Sequence, residues 1–491
     1  MTAIQYDVIV IGGGIAGVTC VESLLLLNPN ISVALISCTP CVKCTTNIVA
    51  LGHLMEKFDV IEQDESEFIQ RFPTVKFIHG EAVRFYSEKH EVEYRRVPSS
   101  PDESVDVSTM VYKKLCVCTG GEPNVVAPNL DSVISIRDTD SVQILQEKLR
   151  KAKHVAVLGN GGIANEFICE VEDCDVTWII KDNFINSAFL DPGASEFLIN
   201  QIKTVKPKGE QKYLKRWQYE SNSKSSVDAT KLEEKTGPAL GPDWHKNLDL
   251  KGLGSKENVN IQYSTTIQSI EETSDSSSNK KELKIVLTNG HEFGCDFLVS
   301  ATGVNPATGF FEGQKVKLGE DSGIEVNESF ETSIADVYAA GDCCTPGWEI
   351  APHWVHMRLW TQAKQMGTCV ARSITACLQN EPKLPLDICF EVFTHVTTFF
   401  GYKVIMLGNF NAKGLDKNKC EILFRCTKNM EYIKVILHED KLCGAILIGE
   451  TDYEETFENL ILNQFDLGFI KDGLLDPDVD IEDYFDYLFS C

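Results

Sequence analysis

Long apolar runs and short glycine turns alternate along the chain. Residues 6–11 (YDVIVI) form an unbroken β-branched run, as a strand buried on both faces requires. Gly12, Gly13 and Gly14 follow, then an apolar stretch, 15–27, that reads as a helix stopped at Asn28-Pro29. A second buried run covers 31–36. Strand, tight turn, helix and strand within about 30 residues make one βαβ unit. The order returns with a strand at 154–158, a turn at 159–162, a helix at 163–171 and a strand at 175–180. Two such units predict two nucleotide sites, or one site and a decayed copy.

The pattern breaks between 203 and 256, where 12 Lys/Arg face 7 Asp/Glu, and strand-like alternation resumes at 259–270. About 50 residues therefore read as a basic insertion into the second nucleotide domain. The polar segment 271–281 (EETSDSSSNKK) reads as a hairpin tip or loop. From Phe390 the runs 390–400, 403–410, 432–437 and 444–449 look like strands, and 453–464 like a helix. That order predicts an α+β C-terminal domain.

Composition narrows the functional classes. With 491 residues, 43% hydrophobic and 24% charged, the chain is not a disordered, collagenous or disulfide-scaffold sequence. A net charge of −26 makes it a poor general binder of nucleic acid or anionic membrane, so neither DNA nor a bilayer is an expected partner. Eighteen cysteines are too dilute for a disulfide framework, and no secretory pattern precedes the first strand. The expectation is a soluble protein of a reducing compartment with mostly free thiols.

Gly12-x-Gly14-x-x-Gly17 ends a strand and opens a helix, the context a dinucleotide fingerprint needs. Its first glycine permits the tight turn, the second lets the backbone approach a pyrophosphate, and the third lets helix and strand pack closely. The acid expected at the end of the second strand is replaced by Ser37, so a ribose contact falls to its hydroxyl or to the backbone. Gly159-x-Gly161-x-x-Ala164 is the second fingerprint. Its second strand is followed by Lys181 and Asp182; the acid suits NAD, the lysine tolerates a 2′-phosphate, and the sequence does not choose.

Two further segments, 114–123 (KLCVCTGGEP, with Thr119 and Gly120) and 295–306 (CDFLVSATGVNP, with Gly303), are each a strand, then Thr-Gly, then proline. They resemble the linkers that cross between nucleotide domains in flavin disulfide reductase-like proteins. Residues 332–342 (TSIADVYAAGD) resemble the second FAD motif of that superfamily, which makes Asp342, after Gly341, the best single cofactor residue. A helix over 357–371 would then point its positive end at the flavin. The implied architecture is α/β: two Rossmann-like domains and the α+β domain. FAD binding falls to 1–123 with 298–385, NAD(P)H binding to 124–297, and the C-terminal domain to 386–491. The implied chemistry is hydride transfer from nicotinamide to flavin.

What lies beyond the flavin is ambiguous. In the superfamily's disulfide reductases a redox cysteine pair opens the helix after the second strand, and Cys41-Val42-Lys43-Cys44 occupies that place, with two residues between the cysteines instead of four. A helix start would lower a thiol pKa. The bland alternative is two incidental thiols. No second C-x-x-C or His pair completes a zinc set. Lys43 also lies where the superfamily places a lysine near the flavin, and Glu166 matches the glutamate that pairs with it; the alternative is two unrelated surface residues. His353, His356 and His395 lack the His-Pro dipeptide of the disulfide reductases, and a lone His in a strand is usually structural. Trp354 either shields the flavin or packs the core. The basic insertion, with Tyr213, Trp217 and Tyr219, fits a solvated excursion or a site for RNA or an acidic partner. The acidic tail 472–486 and its aromatic residues could dock on the body or on a partner.

The strings 358–367 (RLWTQAKQMG), 390–407, 448–464 (IGETDYEETFENLILNQ) and 480–486 (DIEDYFD) make the chain similar to class I pyridine nucleotide-disulfide oxidoreductases, over essentially its whole length. The resemblance implies bound FAD, NAD(P)H as reductant and a nuclear and cytoplasmic location. It further implies protection of the tRNA ligase complex against oxidation, through a slowly reoxidised flavin. The relatives concerned are not defined by a redox cysteine pair, so a Cys41/Cys44 dithiol stays open. Three functions follow: a slow oxidoreductase guarding a partner, a disulfide reductase using Cys41/Cys44, or a binding module that reports redox state without turnover.

Overall fold

The structure, a computed structural model, describes residues 4–97, 107–199, 248–254, 258–275, 280–479 and 481. Most of the basic insertion lies outside the described residues, as do 480 and 482–491 of the acidic tail, including its aromatic residues Tyr484, Phe485, Tyr487 and Phe489.

The first apolar run is the strand Ile4–Ile11. It lies between Val33–Ser37 and Val107–Val117, parallel to both, with Val75–Tyr86 and Val337–Ala339 completing the parallel rows. Val8, Ile9 and Val10 are fully buried, which is why the run shows no alternation. The far halves of Val75–Tyr86 and Val107–Val117 are joined by the antiparallel strand Glu91–Arg96. Helix Ile15–Leu27 packs on the sheet against helix Trp360–Leu378, and the approach is close: a Cβ at Gly367 would lie 2.5 Å from the Ala16 carbonyl oxygen.

The second sheet is parallel throughout, in the order Val259–Gln262, Asp175–Ile179, His154–Leu158, Phe297–Ser300, Val133–Ile134. The antiparallel strands Ile267–Asp275, Lys280–Leu287 and Glu292–Cys295 share an apolar cluster with it. Of the polar segment 271–281, expected as a hairpin tip or loop, 271–275 and 280–281 are instead paired strand, and 276–279 lie outside the described residues. Phe297–Ser300 belongs to this sheet, not to the first domain. The boundary drawn at 298 therefore moves past Ser300, because the return crossing begins only where the strand's ladder ends.

The two linkers pair with each other. Gly121–Pro123 runs antiparallel to Val304–Pro306, and the Thr119 hydroxyl donates to the Ala307 carbonyl at 2.6 Å. The C-terminal domain is a five-stranded antiparallel sheet, in the order Thr394–Phe399, Tyr402–Gly408, Lys441–Ile448, Glu431–His438, Cys420–Thr427, covered by helix Glu454–Asn463. Among the described residues no helix is long and apolar enough to cross a membrane.

Candidate dinucleotide and redox site

The two glycine turns are built alike. Gly12 has φ +118°, and a Cβ there would lie 2.1 Å from the Cys118 carbonyl oxygen; Gly159 has φ +132°, and a Cβ would lie 2.0 Å from the Ala301 carbonyl oxygen. Each first glycine is thus crowded by the linker strand beside it. The second glycines differ in kind. A Cβ at Gly14 or at Gly161 would meet no heavy atom within 4 Å. The third positions are tight again: a Cβ at Gly17 would lie 2.0 Å from the Gly12 carbonyl oxygen, and Ala164 is fully buried.

The helix ends agree with that division. Gly14 and Gly161 cap the helices Ile15–Leu27 and Gly162–Glu170 without any side-chain hydrogen bond. The helices Glu65–Arg71 and Thr139–Leu149 carry full capping boxes from Asp64 and Asp138, while Trp360–Leu378 and Glu454–Asn463 also lack a side-chain cap. Free first-turn N–H groups beside an open second glycine make a cradle for a diphosphate. Both turns fit a dinucleotide.

Around the first turn, Ser37 ends its strand and is buried, its hydroxyl 3.1 Å from that of Thr39, and it fills the space beside Gly13. Gly120, Gly303 and Gly341 all have positive φ. A Cβ would meet nothing within 4 Å at Gly120 and Gly303 but would lie 2.8 Å from Ala16 Cβ at Gly341. Asp342 follows this last turn. Burial pushes its carboxyl up, against the charge of Arg358, whose Nε donates to the Asp342 carbonyl at 2.8 Å. Arg358 also pairs with Asp321. The helix expected over 357–371 starts later, at Trp360. Gln362 ties the preceding loop, accepting from Met357 N–H at 2.8 Å and donating to the Val355 carbonyl at 2.7 Å. Trp354 packs in a ring cluster with Trp348, His356 and Phe390.

At the second turn Asn160, the residue between the first two glycines, donates to Asp182 at 2.9 Å, and Ser187 also donates to Asp182. Burial opposes ionisation of Asp182, but these two bonds outweigh it and hold the carboxyl below its usual range. Lys181 is exposed.

The segment 41–44 is not a helix start. Cys41–Ala50 is a β-strand, paired antiparallel with Glu56–Asp64. Residues three apart on a strand project to opposite faces, so Cys41 and Cys44 diverge and neither opens a helix. Cys44 is buried, and its Sγ lies 3.1 Å from Gln63 Oε1. Burial, with the nearby charge of Glu22, pushes its thiol up to about 12, the reverse of what a redox nucleophile needs. Lys43 is buried and pairs across the strands with Glu62, Nζ to Oε1 at 3.0 Å. The Thr139 hydroxyl donates to the same oxygen. Lys43 therefore has a partner on its own hairpin, Glu62, that its place in the sequence did not point to. Glu166 is buried on helix Gly162–Glu170, its Oε1 4.0 Å from where a Cβ on Gly162 would stand.

Two residues of the site left no sequence signal. Glu62 and Thr139 are far from Lys43 in the chain. His395, buried on the C-terminal sheet, places Nδ1 3.1 Å from the Thr361 hydroxyl in the first turn of helix Trp360–Leu378, beside the Trp360 ring. Burial drives its pKa down to about 3, so it is a neutral ring. His356 is likewise held down to about 4 by burial and by Arg358.

Comparison with known proteins agrees with this architecture. The family model for pyridine nucleotide-disulphide oxidoreductase matches residues 6–206 and 250–367, and that for the rubredoxin NAD+ reductase C-terminal domain matches 396–465. The chain is 41% identical to pyridine nucleotide-disulfide oxidoreductase domain-containing protein 1 of Homo sapiens, over 97% of each chain. It is 42% identical to the protein of that name in Drosophila melanogaster, covering 98% of this chain and 99% of the other. Among solved structures, a ferredoxin reductase from Rhodopseudomonas palustris shares the fold at TM-score 0.66 and 16% identity, covering 97% of this chain and 99% of that one. Two glycine turns joined by paired linkers, and family matches that span both nucleotide domains, lead to one assignment: the chain belongs to the pyridine nucleotide-disulphide oxidoreductase family.

Proposed function

We propose that this member of the family is an FAD-dependent NAD(P)H oxidoreductase that keeps its electrons on the flavin and has no Cys41/Cys44 relay. The turn Gly12–Gly17, with Ser37, Thr119, Gly120, Gly341 and Asp342, would hold FAD. The turn Gly159–Ala164, with Gly303 on the paired linker and Lys181 near the ribose end, would hold NAD(P)H. When bound, the two cofactors supply hydride transfer and a store for two electrons. The protein's part is to fix their geometry, to hold Lys43 beside Glu62, and to offer uncapped helix ends to the diphosphates.

The observation that carries this reading is the strand at Cys41–Ala50. It stands where a disulfide reductase would present a thiol pair on a helix, and it sends the two cysteines to opposite faces. Without a thiol relay, the flavin lacks the usual route by which its electrons reach a disulfide. This supports the guardian reading over the disulfide reductase. The relatives' resemblance extends the reading to a protein partner, the tRNA ligase complex, and to a location in cytoplasm and nucleus. The test is NADH-dependent reduction of a small disulfide by the FAD-loaded protein and by Cys41→Ser and Cys44→Ser. Equal, low rates in all three support the reading, and loss of a robust wild-type rate in either variant overturns it.

A further inference from the structure

The hairpin that carries Lys43 runs between two domains. At its inner end the Lys43 N–H donates to the Gly13 carbonyl at 2.9 Å, within the first glycine turn. Lys43 and Glu62 face each other in the ladder two residues further from the base than the Cys41–Asp64 pair. The strand Cys41–Ala50, ten residues long, reaches about 30 Å. At its outer end Met55 is fully buried in the core of the C-terminal domain, with Phe457, Leu460 and Ile461, and Leu51 and Leu54 pack against that core. Glu56, where the return strand starts, pairs with Lys364 of helix Trp360–Leu378.

The outer turn is held by one side chain. Glu458, on helix Glu454–Asn463, is 0% exposed. Its Oε1 accepts from His53 N–H at 2.5 Å and from Leu54 N–H at 2.9 Å. Its Oε2 has no hydrogen-bond partner and lies 2.7 Å from where a Cβ on Gly52 would stand. A carboxyl group fully out of water is costly, and helix packing alone would favour an apolar residue there. Bonds from two backbone amides offset that cost and specify one conformation of the turn. The distinctive string 448–464 thus contains a residue whose contacts lie outside its own domain.

We propose that Glu458 is a positioning residue for the flavin site, acting through the hairpin: it fixes the 51–54 turn, and the turn fixes the strand that presents Lys43 and Glu62. The proposal rests on the functional reading above. A clamp that served domain cohesion alone would leave the chemistry of the site untouched, and that difference is measurable.

The experiment compares the FAD-loaded full-length protein with Glu458→Ala, Glu458→Gln and Gly52→Ala. It reads amide hydrogen exchange over 51–55, the alkylation rate of Cys44, and the rate of flavin reduction by NADH. In Glu458→Ala, exchange at His53 and Leu54 should rise about tenfold or more as the local opening energy falls. Cys44 should alkylate faster. Flavin reduction should slow about fivefold with FAD content unchanged, since small misplacements near a reacting centre cost rate steeply. Glu458→Gln, which keeps a carbonyl acceptor, should restore both to within about twofold. Unchanged exchange in Glu458→Ala overturns the clamp, and faster exchange with an unchanged reduction rate overturns the positioning role. Should Glu458→Ala not fold, Gly52→Ala disturbs the same contact from the hairpin side and decides on the same readings. A wild-type flavin that NADH does not reduce would instead refute the functional reading, while amide exchange still scores the clamp.

Discussion

Lys43 and Glu62 are directly opposed on adjacent strands, with Nζ 3.0 Å from Oε1 and side chains only 9% and 15% exposed. So sheltered a pair is stabilising only while both members are present. Lys43→Met leaves Glu62 with the Thr139 hydroxyl alone. The expected result is a loss of about 3 kcal/mol in denaturant unfolding. Flavin reduction by NADH should slow about tenfold or more, as a fixed charge near the reacting centre is removed. Glu62→Gln should lose stability in the same direction.

Gly12 and Gly14 stand two residues apart and should differ in what alanine does to the stability of the fold. At Gly12 both the positive φ and the Cys118 carbonyl resist a methyl group, so Gly12→Ala should destabilise the fold by about 2 kcal/mol or more and lose FAD as well. At Gly14 the methyl enters open space with an ordinary backbone conformation, φ −78°. Gly14→Ala should therefore keep the thermal stability of the cofactor-free protein and lose only FAD affinity. Calorimetry with and without FAD separates the two.

The Cys44 thiol, held at about 12 mainly by burial, carries almost no thiolate at neutral pH. Iodoacetamide should modify it in the native protein about a hundredfold or more slowly than in the unfolded chain, where its pKa is ordinary. Mass spectrometry of the 41–44 peptide checks this. Fast native labelling would remove one of the two physical grounds for excluding the dithiol, leaving only the strand geometry.

His395 links stability to pH. Its folded pKa, about 3, lies below the unfolded value of 6.5 because burial disfavours the charged ring. The unfolded chain therefore binds a proton that the folded one does not between those limits, so this term is fully favourable above pH 6.5 and is lost as pH falls toward 3. Between pH 7.5 and 5.5 it amounts to about 1.4 kcal/mol. Glu- and Asp-dependent terms are shared with His395→Gln, so denaturant unfolding at the two pH values should show the wild type losing about that much more than the variant.

Much of the framework was legible in the sequence because it rests on local requirements. Strands buried on both faces must be apolar throughout, and turns with positive φ must be glycine, so residues 4–37 and 154–179 declared themselves. The 41–50 strand was legible too: Val42, Thr45, Thr46, Ile48 and Val49 are β-branched. Analogy with a redox helix displaced that local signal. The partners of Lys43 and of the 51–54 turn were not legible. Glu62 lies 19 residues away, and Glu458 lies about four hundred, and nothing local to either end marks the contact. The start of helix Trp360–Leu378 was also set from outside, by the bonds of Arg358 and Gln362 to neighbouring backbone.

The central claim is that electrons reach the flavin from nicotinamide and stay there. Anaerobic titration of the FAD-loaded protein with NADH, followed by visible absorption, then by air and then by a disulfide, tests it directly. The account predicts stoichiometric bleaching of the flavin, a long-wavelength band that persists with bound NAD+, and only slow return of the oxidised spectrum after either addition. Rapid return on adding the disulfide would contradict it, and failure of FAD to bind at all would remove its foundation.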